Sequence, residues 1–287
     1  MIVDSHQHFW QVGRFDYPWM SPELGVLYRD YLPLHLEPLL KKSGVAKTVL
    51  VQASNSLAET HWLLSRADSN PFITGVVGWV DLTAPGIGGE LDVLTANPKF
   101  KGVRHLVESE PAEDWLVLPS VLRGLQSLSD YGVSYDLLVH TCHLKHARRV
   151  AESYPKLRLV IDHMAKPPIA SGEVREWAQE IKAIARYPNV HCKLSGLVTE
   201  ANPASWRPED LQPFVERAID YFGPERMMFG SDWPVCLLAA SYDQVLDSVH
   251  QLLAGLSETE RNAVLGENAR TFYRLQLVAS TVKVEHG

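Results

Sequence analysis

Two histidines separated by a single residue, His6 and His8, follow the short apolar start of this 287-residue chain. Ile2 and Val3 come just before them, which predicts a first β-strand whose carboxyl end carries both imidazoles. Side chains alternate across a strand, so His6 and His8 point the same way. Such a pair can hold a divalent metal, or direct two donors at one substrate oxygen. Because His-x-His is common by chance, its meaning depends on the rest of the chain.

Eight short apolar runs recur along the chain and alternate with segments of helical periodicity. The runs cover 2–8, 47–54, 73–82, 100–108, 134–140, 157–163, 190–197 and 227–233. Several are continuously apolar, as expected of parallel strands covered on both faces. Strand and helix alternating eight times, over a length near the ~250 residues typical of the fold, predict an α/β protein with a single-domain (β/α)8 barrel. A doubly wound open sheet is the alternative, but no Gly-x-Gly-x-x-Gly follows a strand.

Composition excludes several classes of function. The chain has 27 basic and 34 acidic residues, a net charge of -7, so electrostatic attraction to nucleic acid or an anionic membrane has little support. With no signal sequence and no long apolar run, we predict a cytoplasmic protein that acts on a small molecule; oligomerisation is left open. Cys142, Cys192 and Cys236 lack Cys-x-x-Cys spacing and predict buried free thiols.

Segment 11–33, which follows the first predicted strand, is long for a loop and rich in aromatic residues. Loops after barrel strands form the active face, so this aromatic segment is predicted either to cover the site as a lid or to pack on the barrel rim. Near the other end of the chain, 267–273 predicts a closing helix and 282–287 a frayed tail.

Polar residues at the carboxyl ends of the predicted strands supply the candidate site, because (β/α)8 barrels build catalysis there. Strands one, four, five, six and eight contribute them: His6, His8, Arg104, His105, His140, His163 and Asp232. A single histidine is more often a hydrogen-bonded core group than a functional one. Here, however, chance alone would have to place a histidine or aspartate at the ends of four strands: one, five, six and eight. The remaining histidines are predicted to serve helix packing, the surface or the tail, with His191 at the opposite end of the barrel.

The set His6, His8, His140, His163 and Asp232 resembles the amidohydrolase superfamily, whose fold is a (β/α)8 barrel. The resemblance covers essentially the whole chain. Five motifs are similar to those of the sugar-lactonase branch, the L-fuconolactonases and L-rhamnonolactonases: Asp4-Ser5-His6-Gln7-His8-Phe9-Trp10, Lys101-Gly102-Val103-Arg104-His105, Asp162-His163-Met164-Ala165-Lys166-Pro167, Lys193-Leu194-Ser195-Gly196-Leu197 and Phe229-Gly230-Ser231-Asp232-Trp233-Pro234.

One departure from the superfamily concerns the metal. Binuclear members bridge two metals with a carboxylated lysine on strand four or five, whereas these strand ends offer Arg104, His105 and His140. Lys101 stands at the start of strand four, too deep for that role. The resemblance therefore implies at most one divalent metal, Zn²⁺, held by His6, His8 and Asp232 with His140, and it implies that activity need not require the metal.

The resemblance implies hydrolysis of a sugar-derived lactone to the sugar acid. Asp232 is the predicted general base and acid, taking a proton from water and returning it to the ring oxygen, with His140 and His163 beside it. The histidine cluster would polarise the carbonyl, directly or through the metal: His6, His8, His140 and His163. Arg104 and Lys166 are predicted to bind substrate oxygens, and Trp79 and Trp233 to face the sugar C–H surface.

Other functions remain open at this point. A metal-dependent decarboxylase or hydratase on the same barrel uses the same histidines and aspartate, and product chemistry separates it from a lactonase. Amide hydrolysis is less favoured because the bridging lysine is missing. A non-catalytic sugar-binding or metal-storage protein predicts binding without turnover, and Asp232 beside four histidines speaks against it.

Overall fold

Eight parallel strands in the order β1-β2-β3-β4-β5-β6-β7-β8 line the centre of the computed structural model, which describes residues 1–276. Each strand pairs with the next in parallel, and an isolated parallel bridge between Gln7 and Trp233 links the first strand to the loop after the last. The predicted (β/α)8 barrel is therefore confirmed. Its strands are β1 (Ile2–Gln7), β2 (Val45–Val51), β3 (Ile73–Gly78), β4 (Phe100–Leu106), β5 (Ser134–Leu138), β6 (Leu159–Ile161), β7 (Val190–Leu194) and β8 (Met227–Phe229).

Helices connect the strands and cover the outside of the barrel. They are α1 (Pro33–Ser43), α2 (Leu57–Ser69), α3 (Ile87–Thr95), α4 (Pro119–Tyr131), α5 (Leu144–Ser153), α6 (Arg175–Ile184), α7 (Leu197–Glu200), α8 (Pro208–Phe222), α9 (Tyr242–Leu252), α10 (Glu258–Asn262) and α11 (Asn268–Phe272). A π-helical turn, Ala263–Glu267, joins α10 to α11. None of the helices within residues 1–276 is long and apolar enough to cross a membrane.

Strands β6 and β8 are shorter than the sequence predicts. β6 stops at Ile161 and β8 at Phe229, although the apolar runs were extended to His163 and Trp233. His163 and Asp232 have φ of 52° and 56°, so the backbone has already left the extended conformation where these side chains begin. The functional residues therefore stand on tight turns above the sheet.

Apolar side chains fill the barrel from its amino-terminal end. A compact cluster joins inward-facing valines of the strands to Phe272, Tyr273 and Leu275 at the end of the described chain. The predicted closing helix thus corresponds to α11, which plugs this end, while 282–287 lie outside the described residues. Gly266 allows the close approach this requires, since a Cβ there would lie 2.2 Å from the Met1 carbonyl oxygen. His191 contacts the same plug, with its ring centroid 4.8 Å from that of Phe272.

The three cysteines are free, and the prediction that all are buried is wrong for one of them. Cys192 on β7 and Cys236 after β8 are buried among apolar side chains. Cys142 is exposed because it lies in the turn between β5 and α5, beyond the end of the sheet.

Candidate active site

Three side chains converge at the carboxyl end of the barrel: His6 on β1, His8 just after it, and Asp232 after β8. His6 Nε2 lies 3.1 Å from His8 Nε2, and Asp232 Oδ1 lies 3.7 Å from the first and 3.4 Å from the second. The backbone N–H of Asp232 donates to the carbonyl of His6 at 2.8 Å, which ties the two ends of the barrel together at this point. All three side chains are buried.

This trio has the spacing of a metal-ligand set. Ligand atoms about 2.0–2.1 Å from a tetrahedral Zn²⁺ lie roughly 3.3 Å apart, close to the three distances above. His8 Nδ1 donates to the Val51 carbonyl at 2.8 Å, the outer hydrogen bond that orients a ligating imidazole. His6, His8 and Asp232 therefore fit one divalent cation, and His6, Asp162 and His163 form a second, overlapping group.

His163 completes the ring of groups around Asp232. Its Nε2 lies 4.0 Å from Asp232 Oδ1, and its Nδ1 is 2.9 Å from the Ser195 hydroxyl. Gly196 permits this position, because a Cβ there would lie only 2.5 Å from His163 Nδ1 and the residue has a φ of 65°. The sequence motif Lys193-Leu194-Ser195-Gly196-Leu197 thus supports His163.

Opposing influences set the charge state of the site. Burial would raise the pKa of Asp232, but its interactions with the neighbouring imidazoles of His163, His8 and His6 hold that pKa well below its usual range. Burial lowers the pKa of His6 far below 6.5, although Asp162 opposes this. At neutral pH the site therefore holds an ionised carboxylate beside a neutral imidazole.

A buried charge network lies directly beneath His6. Lys193 Nζ donates to Asp136 at 2.6 Å, forms an ion pair with Asp162 Oδ1 at 3.0 Å, and lies 3.1 Å from His6 Nδ1. Arg104 donates to the other oxygen of Asp162 at 3.1 Å, and Tyr273 Oη donates to Asp136 at 2.6 Å. Sequence reasoning missed Lys193, Asp136 and Asp162 as functional positions. Their signal was a set of charged residues inside otherwise apolar strand runs, which a parallel barrel tolerates only when the charges are paired.

A cavity of about 260 Å³ opens above Asp232 and His163. One wall comes from the aromatic segment 11–33 and the residue before it, through Trp10, Trp19, Leu24 and Leu27. Trp19 is anchored to the barrel because its indole N–H donates to the Ala53 carbonyl at 2.7 Å. The segment therefore lies beside the cavity, and its role as a lid stays a prediction.

The opposite side of the cavity is polar. Lys166, Glu108, Glu200 and Thr199 line it, and Lys166 forms an ion pair with Glu108. Burial raises the pKa of Glu200. Lys166 is predicted from the sequence and the two glutamates are not. Glu108 lies just after β4 and Glu200 ends α7, and local periodicity does not encode where these segments lie relative to the other strands.

Three predicted site residues lie elsewhere. His140 follows the end of β5 by two residues, is half exposed, and has its Nε2 3.8 Å from Glu108, so it does not join His6, His8 and Asp232. Trp233 is 2% exposed and packs edge-on against Phe9 and Tyr31. Trp79 donates its indole N–H to His105 Nδ1 at 3.0 Å. Neither tryptophan is among the lining residues of the cavity. The metal-ligand role for His140 and the substrate-facing roles for Trp79 and Trp233 are thus corrected.

A (β/α)8 barrel with His-x-His on its first strand and an aspartate after its eighth defines the class of protein. The amidohydrolase family model matches residues 3–275, and the chain belongs to this family. It is 39% identical over 285 residues to the L-fucono-1,5-lactonase of Burkholderia ambifaria, covering 95% of each protein. The predicted resemblance to the family and its lactonase branch is confirmed.

Solved structures extend the comparison. An amidohydrolase from Burkholderia multivorans crystallised with bound zinc is 39% identical, with a TM-score of 0.91 over 96% of this chain and 100% of that one. The 2,6-dihydroxybenzoate decarboxylase from Rhizobium is 16% identical, with a TM-score of 0.66 over 95% of this chain and 98% of that one. At that identity the second likeness shows a shared fold only.

Proposed function

We propose that this protein hydrolyses the ring ester of a sugar-derived lactone, of the L-fucono-1,5-lactone kind, to the corresponding sugar acid. The observation that carries the proposal is Asp232, an ionised carboxylate at the floor of the cavity that faces three imidazoles. The 39% identity to an L-fucono-1,5-lactonase over 95% of the chain supports the same substrate class.

Asp232 is the proposed general base. A water between its carboxylate and the bound lactone gives a proton to Asp232 Oδ1 as the water oxygen attacks the carbonyl carbon. His163 lies beside the same carboxylate oxygen and lines the cavity, so its N–H group can donate to the carbonyl oxygen as negative charge develops there. Asp232 then returns the proton to the ring oxygen as the C–O bond breaks.

His6, His8 and Asp232 are the residues that would hold one divalent cation, proposed to be Zn²⁺. The 3.1–3.7 Å spacing of their ligand atoms and the zinc in the Burkholderia multivorans relative support this assignment. When bound there, the ion polarises a substrate oxygen and promotes ionisation of water. The neutral imidazole of His163 and the ionised Asp232 are suited to the reaction without the ion, so we propose that the metal is not required.

The cavity suits a single sugar ring. Its volume of about 260 Å³ lies just below the roughly 300–1,000 Å³ of drug-sized ligand pockets. The indoles of Trp10 and Trp19 offer apolar faces to C–H surfaces, and the Glu108–Lys166 pair with Glu200 offers hydrogen-bond partners to hydroxyls. We assign substrate orientation to this polar side, with Lys166 as the predicted cation. Arg104 lines the same cavity, but its guanidinium is engaged by Asp162 and the Gln52 carbonyl.

A panel of five- and six-membered L- and D-sugar lactones tests the proposal through proton release, read with a pH indicator. Rapid acid release from one stereochemical series, dependent on enzyme concentration, is expected. Hydrolysis no faster than buffer across the panel would refute the proposal. Release of CO₂ from an aromatic acid would instead identify a decarboxylase, the alternative that the shared barrel leaves open.

A further inference from the structure

Lys193 lies wholly buried beneath His6, hydrogen-bonded to Asp136 and to the His6 ring and ion-paired with Asp162. Its Nζ lies 2.6 Å from Asp136 Oδ2, 3.0 Å from Asp162 Oδ1 and 3.1 Å from His6 Nδ1. An ammonium group donates and cannot accept. His6 Nδ1 can therefore accept the hydrogen bond from Lys193 only if it carries a lone pair, which places the proton of the neutral ring on Nε2.

The contacts of His8 also place the His6 proton on Nε2. His8 Nδ1 is 2.8 Å from the Val51 carbonyl oxygen, which can only accept, so His8 carries its proton on Nδ1 and a lone pair on Nε2. His6 Nε2 and His8 Nε2 are 3.1 Å apart, a hydrogen-bond distance that needs one proton between them. Only His6 can supply it.

A divalent cation needs the other tautomer of His6. Both Nε2 atoms must then offer lone pairs, and the His6 proton must move to Nδ1. In that state Asp162 Oδ1, 3.4 Å away, accepts from Nδ1, while the Lys193 ammonium faces an N–H group. Arg104 Nη1, 3.3 Å from His6 Nε2, also fits only this second state. The two contacts that favour it are longer than the two 3.1 Å contacts that oppose it.

We propose that Lys193 is a positioning residue that holds His6 in its Nε2–H tautomer, and that it thereby weakens metal binding by His6, His8 and Asp232. Lys193 adds a second effect, because its buried positive charge repels a cation placed above His6. The inference rests on the metal group named in the proposed function, but not on the identity of the substrate.

Zinc affinity of two variants separates these effects. Lys193→Met removes the donor and the charge, whereas Asp136→Asn/Lys193→Met removes the donor and leaves the local net charge unchanged. Both are expected to bind Zn²⁺ about tenfold or more tightly than the wild type, the scale on which outer-shell partners alter metal affinity. Competition with a chromophoric chelator measures the affinity. Lys101→Met is the matched control. Lys101 lies on β4 and donates to the Arg274 carbonyl, so its replacement should leave zinc binding unchanged.

The tautomer itself is observable by ¹⁵N NMR on zinc-free protein. Two-bond ¹H–¹⁵N correlations should show the His6 proton on Nε2 in the wild type and on Nδ1 in Lys193→Met. A His6 proton on Nδ1 in the wild type would overturn the inference, and so would unchanged zinc affinity in both variants. Tighter zinc binding by Lys193→Met alone would also overturn it, because the lost charge would then explain the effect. The wild-type spectrum decides the matter even if neither variant folds. Because no lactone is used, inactivity toward lactones would bear on the proposed function alone.

Discussion

Replacing Asp232 by Asn changes one oxygen of the side chain and removes the proposed general base. The amide keeps the volume of the carboxylate, so the cavity and the backbone bond from residue 232 to the His6 carbonyl should persist. General-base catalysis contributes about 10²–10⁴-fold, so kcat should fall by roughly that factor, equivalent to about 3–5 kcal/mol of transition-state stabilisation.

The assay is initial-rate lactone hydrolysis by proton release, run once with a chelator and once with added zinc. The measurement with chelator matters because Asp232 is also a proposed metal ligand. When both proteins are free of metal, a loss of activity in the variant cannot arise from a loss of metal. Asp92→Asn is the matched control, an exposed carboxylate on α3 that accepts from Tyr131 at 2.7 Å. Turnover by Asp232→Asn within tenfold of the wild type, with a normal melting temperature, would refute the assignment of the base.

Three further substitutions test the surrounding structure. Gly196→Ala should displace His163, because the added Cβ would lie 2.5 Å from His163 Nδ1, and kcat/KM should fall by about tenfold or more. Gly172→Ala is the control, because Gly172 has a similar φ of 70° but open space around it. The control should lower only the stability, which thermal melting measures. Lys166→Met should raise KM for the preferred lactone several-fold with little change in kcat; a fall in kcat at unchanged KM would contradict a binding role. Burial raises the pKa of Glu59 to about 7, so its folded form binds more protons than the unfolded chain, and stability falls as pH rises from about 4.5 through 7. Glu59→Gln should remove on the order of 2 kcal/mol of that loss between pH 5 and pH 8 in urea unfolding, and equal slopes for both proteins would argue against it.

Periodicity predicted the barrel because its strands are continuous apolar runs and its helices are amphipathic. It also predicted His6, His8, His163 and Asp232, since in a parallel barrel the ends of all strands meet at one edge. The ends of β6 and β8 could not be predicted from the sequence, because His163 and Asp232 adopt left-handed backbone conformations that residue type alone does not indicate.

Other features depend on contacts between distant segments. His140 stands only two residues past β5, yet the turn that follows directs it toward Glu108 and not toward the histidine pair. Trp233 adjoins Asp232 in sequence but packs into the core with Tyr31 of the aromatic segment. Asp136 lies on β5, Lys193 lies on β7 and Asp162 follows β6, and only the closed barrel brings their charges together.

Tyr273 joins the chemistry near the start of the chain to the last part of the described fold. Its hydroxyl holds Asp136, Asp136 holds Lys193, and Lys193 contacts His6, so a sequence of direct contacts links residue 273 to residue 6. During synthesis on the ribosome, His6 emerges before the strands that carry its partners and before α11, so its surroundings form only after those segments have been made. The contacts beneath His6 are therefore complete only once Tyr273 has docked against Asp136.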